Sequence, residues 1–170
     1  MATQPSPGRY ALDPAHSTVG FRHKTFWGLA TVKGSFGSVE GNGTIRDDGG
    51  ATGSFAVDAA SLDSKNAKRD KHLRSEDFFH AESFPKVDFQ ATRITPAEEG
   101  SARVEGELTI RGTSTKLDFP VRVEALGDDA IVLRGSVQVD RARYGMTWNQ
   151  LGMITGPATI DLDLRFTATR

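Results

Sequence analysis

The sequence predicts an all-β protein: an antiparallel sheet curled into a closed barrel, with a short helical insertion around residues 63–80. Three observations carry this. Apolar and polar residues alternate with a period of two along most of the chain, as they do in half-buried strands. The alternating runs are joined by short Asp- and Gly-bearing turns, which implies antiparallel neighbours. Each run has one apolar face and no second helical layer exists, which leaves a sandwich or a barrel. Glycines on the inward face (Gly34, Gly53, Gly106 and Gly135) favour the barrel, because they permit tight curvature or leave open volume beside large residues.

The elements follow in order. Residues 1–8 hold two prolines and a glycine and read as a loose arm. Tyr10-Ala11-Leu12 starts a short strand that ends at Asp13-Pro14, since proline biases its predecessor away from helix. Over Ser17 to Lys24, Val19, Phe21 and His23 share one face, and Phe26-Trp27-Gly28 then turns the chain. Ala30, Val32, Gly34 and Phe36 face inward next, and Gly37, Gly41 and Gly43 suggest bulges or a sharp bend. Asp47-Asp48-Gly49-Gly50 is a hairpin turn, after which Gly53, Phe55 and Val57 resume the inward face.

Beyond Pro85 the inward faces are Val87, Phe89 and Ala91, then Val104, Gly106, Leu108 and Ile110, with a turn at Glu98-Glu99-Gly100 between them. Arg111 to Ser114 turns again into Leu117, Phe119, Val121 and Val123; Pro120 points the other way, where an edge or a bulge tolerates it best. Gly127-Asp128-Asp129 leads to Ile131, Leu133, Gly135, Val137 and Val139. Asp140 to Gly156 is less regular and carries Tyr144 and Trp148, and the last strand buries Ile160, Leu162, Leu164 and Phe166. The count comes to about eight to ten strands.

Ser61 to Pro85 breaks the period. Asp63 or Ser64 can act as N-cap, Asn66 to Leu73 lacks Gly, Pro and β-branched residues, and Asp70 and Arg74 have i, i+4 spacing for an ion pair. Ser75 can cap a second turn at Glu76-Asp77. Phe78, Phe79 and Phe84 would pin this insertion over one end of the barrel.

Composition narrows the function. With 170 residues, 37% hydrophobic and 25% charged, the chain suits one globular domain spanning residues 1–170. A net charge of −1 gives no global field for nucleic acid, and the absence of Cys excludes disulfides and thiolate chemistry. The N-terminus lacks the charged and apolar regions of a secretory signal, and no run matches a membrane-spanning helix, so a cytoplasmic protein is expected.

Several blocks, in order, cover nearly the whole chain: Tyr10-Ala-Leu-Asp-Pro-Ala-His16-Ser17-Thr-Val19-Gly-Phe21-Arg-His23; Asn66-Ala-Lys-Arg69-Asp70-Lys-His72-Leu73-Arg-Ser-Glu-Asp-Phe78-Phe79; Phe84-Pro85-Lys-Val-Asp-Phe89; Gly106-Glu-Leu-Thr-Ile110-Arg111-Gly112-Thr113-Ser114; and Asp140-Arg141-Ala-Arg-Tyr144-Gly145-Met-Thr-Trp148-Asn149. The set resembles the YceI-like family, the polyisoprenoid-binding proteins. The resemblance implies an extended eight-stranded lipocalin-like barrel whose apolar interior binds an isoprenoid or other long amphipathic lipid, with no established catalysis and no cofactor. It also makes a homodimer an expectation, though no residue here identifies an interface. Two departures stand out: many members are exported and this chain lacks a signal, and the family's glycine-rich approach to the last strand is here Leu151 to Pro157.

A lipid tail asks for a dry tube, and Val19, Phe21, Phe36, Phe55, Phe89, Leu108, Phe119, Leu133 and Trp148 are its candidate lining; the same residues could equally pack against one another. Trp27 and Trp148 could guard an opening or simply close the barrel. A phosphorylated head group needs cations, and Lys65, Lys68, Arg69, Lys71 and Arg74 supply them, as they would for a transient contact with an anionic membrane; a solvated helix face is the plainer reading. His23, Arg69, His72 and Arg74 are the candidates at the mouth. His16, His23, His72 and His80 have no metal-site spacing, so no metal is expected. His23 reads as a satisfied core histidine or as a hydrogen-bonding partner for a quinone or amide head group. An enzyme acting on a lipid in the same tube would draw on His23, Tyr144 or Asp140, and a filled barrel serving as a stress or interaction protein is the third reading.

Overall fold

The structure is a computed structural model, describing residues 5–98 and 100–169. The first four residues of the expected arm, and Glu99 of the expected turn, lie outside the described residues; Gly8, assigned to the arm, already opens the first strand.

Eleven strands form one sheet among the described residues: β1 (Gly8–Leu12), β2 (Thr18–Thr25), β3 (Ala30–Phe36), β4 (Val39–Ile45), β5 (Ala51–Asp58), β6 (Leu62–Asp63), β7 (Lys86–Pro96), β8 (Ser101–Ile110), β9 (Thr113–Leu126), β10 (Ala130–Val139) and β11 (Thr155–Ala168). Every pairing is antiparallel, in the order β1-β4-β5-β7-β8-β9-β10-β11, and β11 pairs back onto β1. Those eight strands close the barrel.

Closure differs at the two ends because β11 is long. Its second half pairs with β1 at Phe166 to Ala168, while its first half pairs with β2 from Thr155 to Asp163. At that first-half end the wall continues through β3 to β6, and a single turn at Ala59–Ser61 joins it to β5. Backbone bonds from Gly37 to Ser61 (3.0 Å) and from Asp58 to Ser38 (3.1 Å) seal the seam.

The alternation lands as expected: the inward positions Val19, Phe21, Phe36, Val57, Phe89, Val104, Leu108, Phe119, Val121, Leu162, Leu164 and Phe166 are all buried in one core. Turn chemistry also holds. At Asp47–Gly50 the Gly50 N–H donates to the Asp48 carboxylate (2.8 Å), and Gly49 takes φ +89°. The β8–β9 link is a two-residue turn with Arg111 and Gly112 at φ +53° and +73°. Pro120 lies outward where the β9–β10 ladder stops at Arg122 and Arg134, so its missing N–H costs no ladder bond there.

Two expectations about glycine are corrected. The register shifts fall in β7, where Thr92 is the extra residue, and in β11 between Thr155 and Thr159, whereas the Gly41- and Gly43-bearing strand pairs with β5 without a shift and only Gly37 lies at a bend. At Gly34 and Gly106 the inward glycine does not leave open volume either, though Gly53 does border a chamber. The Phe21 ring fills the space a Cβ would need at Gly34, and a Cβ at Gly106 would stand 2.7 Å from the Phe89 ring.

The insertion is a helix, α1 (Ala67–Arg74), with the cap and the ion pair assigned differently from expectation. Asn66 is the N-cap, its side chain accepting from the Arg69 N–H (3.0 Å). Asp63 instead accepts from the Lys65 N–H (2.8 Å), and Ser64 is buried. Asp70 is buried too and does not pair with Arg74; it accepts from the Ser64 N–H (3.0 Å) and hydroxyl (2.5 Å). Burial decides this: an enclosed carboxylate needs local donors, and the preceding loop presents them. The turn after α1 does use Ser75, whose hydroxyl accepts from the Asp77 N–H (3.3 Å).

Candidate functional site

The barrel interior holds two apolar chambers, each of about 80 Å³. One lies under α1. Val19, Phe21, Phe36, Phe55 and Leu108 line it with Leu73 and Phe79 of the insertion above them. The other lies toward the opposite end and is lined by Tyr10, Phe55, Phe89, Phe119, Leu133 and Leu164. Phe55 borders both. A third space of about 120 Å³ shares Ile45, Ala51, Ile94, Ile131 and Leu133 with the second chamber and reaches Gly49 and Pro96 near the hairpin tips.

Eight of the nine tail-lining candidates face one chamber or the other, Trp148 faces neither, and the eight do not line one continuous tube. Aromatic contacts account for the division. Phe89 touches Phe55 (5.7 Å between centroids) and Phe119 (5.6 Å) across the middle, and Phe21, Phe36 and Phe79 form a triangle below the insertion at 5.4 to 6.2 Å. Such pairs add to the area they bury.

The mouth candidates separate. His23 lines the chamber under α1, largely buried, and among the described residues its ring makes no hydrogen bond to the protein. Burial, then the charges of Arg141 and Arg69, pull its pKa from 6.5 down to about 4, so the imidazole is neutral near neutral pH. Arg69 is a latch: it donates to the Ser64 hydroxyl (2.8 Å) and carbonyl (2.6 Å). Arg74 is another, donating to the carbonyls of Ala60 (3.1 Å) and Leu62 (3.3 Å). These guanidiniums tie the insertion to β6 and to the turn that precedes it.

His72 turns outward, bonded to Asp77 (2.8 Å), with Trp148 against it at 4.5 Å and Phe78 at 5.1 Å. Trp148 thus clamps the outer side of the insertion and lines neither chamber.

Sequence reasoning missed Arg141, which lines the chamber beside His23 and donates to the carbonyls of Met146 (2.6 Å) and Trp148 (2.9 Å). Burial lowers its pKa. Its place in the Asp140-to-Asn149 block was the available signal. Of the three acid–base candidates, only His23 reaches this chamber. Tyr144 is fully buried, its hydroxyl paired with Thr115 and its pKa raised by burial, and Asp140 caps its own turn through the Ala142 N–H (3.1 Å). Among the described residues no three His, Asp or Glu side chains gather closely enough to hold a metal ion.

Comparison with known proteins places this architecture. A YceI-like domain matches residues 10–168. UPF0312 protein SAR2769 of Staphylococcus aureus (strain MRSA252) is 30% identical over 168 residues, covering 94% of each chain, and UPF0312 protein SAB2563 of S. aureus (strain bovine RF122 / ET3-1) is 29% identical over 170 residues with the same coverage. In fold the chain is similar to BcnA of Burkholderia cenocepacia (TM-score 0.81, 20% identity, 91% of this chain and 98% of that one). It is likewise similar to a polyisoprenoid binding domain from Saccharophagus degradans implicated in plant cell wall breakdown (TM-score 0.74, 17% identity, 94% and 98%). With a barrel of this topology, the insertion over one end and the family match running from the first strand to the last, the chain belongs to the YceI-like family.

Proposed function

We propose that the barrel binds the hydrocarbon tail of an isoprenoid-type amphipathic lipid, such as a polyprenyl phosphate or an isoprenoid quinone, and stores or transports it without changing it chemically. The observation that carries this reading is the pair of apolar chambers on either side of Phe55 inside a closed wall. Family membership supports it, as does the fold shared with a protein described as polyisoprenoid-binding. Burial stabilises by about 0.8 kcal/mol per CH₂, so roughly ten tail carbons supply about 8 kcal/mol, micromolar affinity before ordering costs.

A long tail needs more room than either chamber offers. Phe55 and Phe79, both half-buried, are the rings whose rotation would join and widen them. The head group would sit under the insertion, where neutral His23 and the Arg141 guanidinium offer donors to a quinone carbonyl or a phosphate oxygen. A non-enzymatic role fits the dispersal of His23, Tyr144 and Asp140, because acid–base chemistry needs its groups to converge on one reacting atom.

The test is extraction of purified protein with organic solvent followed by mass spectrometry, then titration of the delipidated protein with a prenyl-chain probe. Recovery of an unmodified isoprenoid and saturable uptake are expected. An empty extract together with no uptake overturns the reading, and a recovered lipid that changes on incubation would make the protein an enzyme.

A further inference from the structure

Four large apolar side chains stand in water: Phe26 is 53% exposed, Trp27 59%, Leu29 89% and Leu151 77%. They occupy two loops that are tied together. The Trp27 N–H donates to the Met153 carbonyl (2.9 Å), and its indole N–H donates to the Leu151 carbonyl (3.3 Å). Phe26, Trp27 and Leu151 sit at φ +49°, +55° and +55°, the left-handed region that is costly for any residue with a Cβ. Positive backbone φ and exposed apolar surface thus coincide in these two loops.

Cations flank the same loops. Leu151 follows Trp148 by three residues, so its Cα lies within about 11 Å of that of Trp148, whose ring rests on His72 of α1, and Trp27 is bonded to Leu151. Lys68 and Lys71 are exposed on α1, and Lys24 precedes Phe26 by two residues. Among the described residues none of these three lysines has a carboxylate within ion-pair distance. Nearby carboxylates are already engaged, Asp63 by Lys65, Asp77 by His72 and Asp161 by Arg22, while Glu76 stays exposed.

We propose that the loops at 26–29 and 149–153 form a membrane-docking surface, inserting Phe26, Trp27, Leu29 and Leu151 among the head groups of an anionic bilayer while Lys24, Lys68 and Lys71 meet the lipid phosphates. Exposures this high describe projections rather than a groove, and projecting aromatic and leucine side chains with a basic flank suit the apolar–wet boundary of a bilayer. The inference rests on the lipid-binding reading for what docking achieves, since it brings the chamber under α1 to the membrane that supplies or receives the lipid.

The test is flotation of the full chain with phosphatidylcholine vesicles, with and without phosphatidylglycerol. Binding is expected only with phosphatidylglycerol and should weaken as salt rises. The double variant Trp27→Asn, Leu151→Asn, whose new residues tolerate positive φ, should bind about tenfold or more weakly with an unchanged or higher melting temperature. Lys68→Ala and Lys24→Ala should each cost about fivefold.

A wild-type protein that stays off phosphatidylglycerol vesicles, or a double variant that floats as well as wild type, overturns the proposal. So does a wild-type dimer in solution that the double variant converts to monomer, since the patch would then be an interface between copies. Protein that yields isoprenoid on extraction yet fails to float sinks the docking surface alone, whereas one that floats with an empty barrel that takes up no prenyl probe sinks the lipid reading alone.

Discussion

His23 is neutral in the folded protein above about pH 4 but takes a proton at 6.5 when the chain unfolds. Between those values the unfolded state binds more protons, so this contribution to stability is full above 6.5 and drains away as pH falls toward 4. The loss is at most about 3 kcal/mol, less after residual solvent screening. Urea unfolding across that window should show the slope in wild type and lose it in His23→Gln; an unchanged slope would refute the assignment. Asp13, Asp58, Asp63 and Asp161, all held below 3.8 by their partners, begin to lose their contributions only near about pH 5 and lose most below 3.8, so the slope between about 5 and 6.5 is the part free of them. Asp70 is the other decisive single residue. Asp70→Ala strips the acceptor from a buried N–H and a buried hydroxyl and should cost roughly 2–4 kcal/mol in urea, whereas Arg74→Ala should cost nearer about 1 kcal/mol.

At the scale of elements, close approach of strands explains why glycine is needed on β8. A Cβ at Gly106 would overlap the Gln90 carbonyl and stand 2.7 Å from the Phe89 ring, while one at Gly135 would meet Val121 at 3.1 Å. Gly106→Ala should therefore destabilise by about 2 kcal/mol or more and Gly135→Ala by clearly less, measured as shifts in the urea midpoint. Equal costs would show that strand propensity, not the close approach of the Gln90 carbonyl and the Phe89 ring, sets the penalty. The insertion follows a different logic. Its helix is short and polar, so propensity contributes little, and Leu73, Phe78 and the Arg69 and Arg74 latches hold it to the rim.

For the molecule as a whole, Phe55 is the partition between the chambers. Phe55→Ala should cost the lipid-free protein roughly 2–3 kcal/mol through the cavity it leaves, while joining the chambers into one bore. Titration with a prenyl-chain probe should show affinity kept or raised, most for long chains. Loss of binding alongside a folded spectrum would contradict a tail lying across that position.

Alternation was enough to set which face of the long strands turns inward, because a period of two leaves no freedom once one face is buried, except past Thr92 of β7, where the extra residue shifts the phase and turns Ile94 inward. Asp-Gly turns set antiparallel order, and the break in period located the insertion. What needed the folded chain was everything formed between distant segments. Gly34 looked like empty space until Phe21 from the next strand covered it, and Arg69 looked like a free cation until Ser64 took its donors. Likewise, eight inward apolar residues read as one tube, yet ring-on-ring contact divided it into two chambers at Phe55. Sequence records which side chains face the core; how bulky rings from separate strands share that core is decided only when they meet.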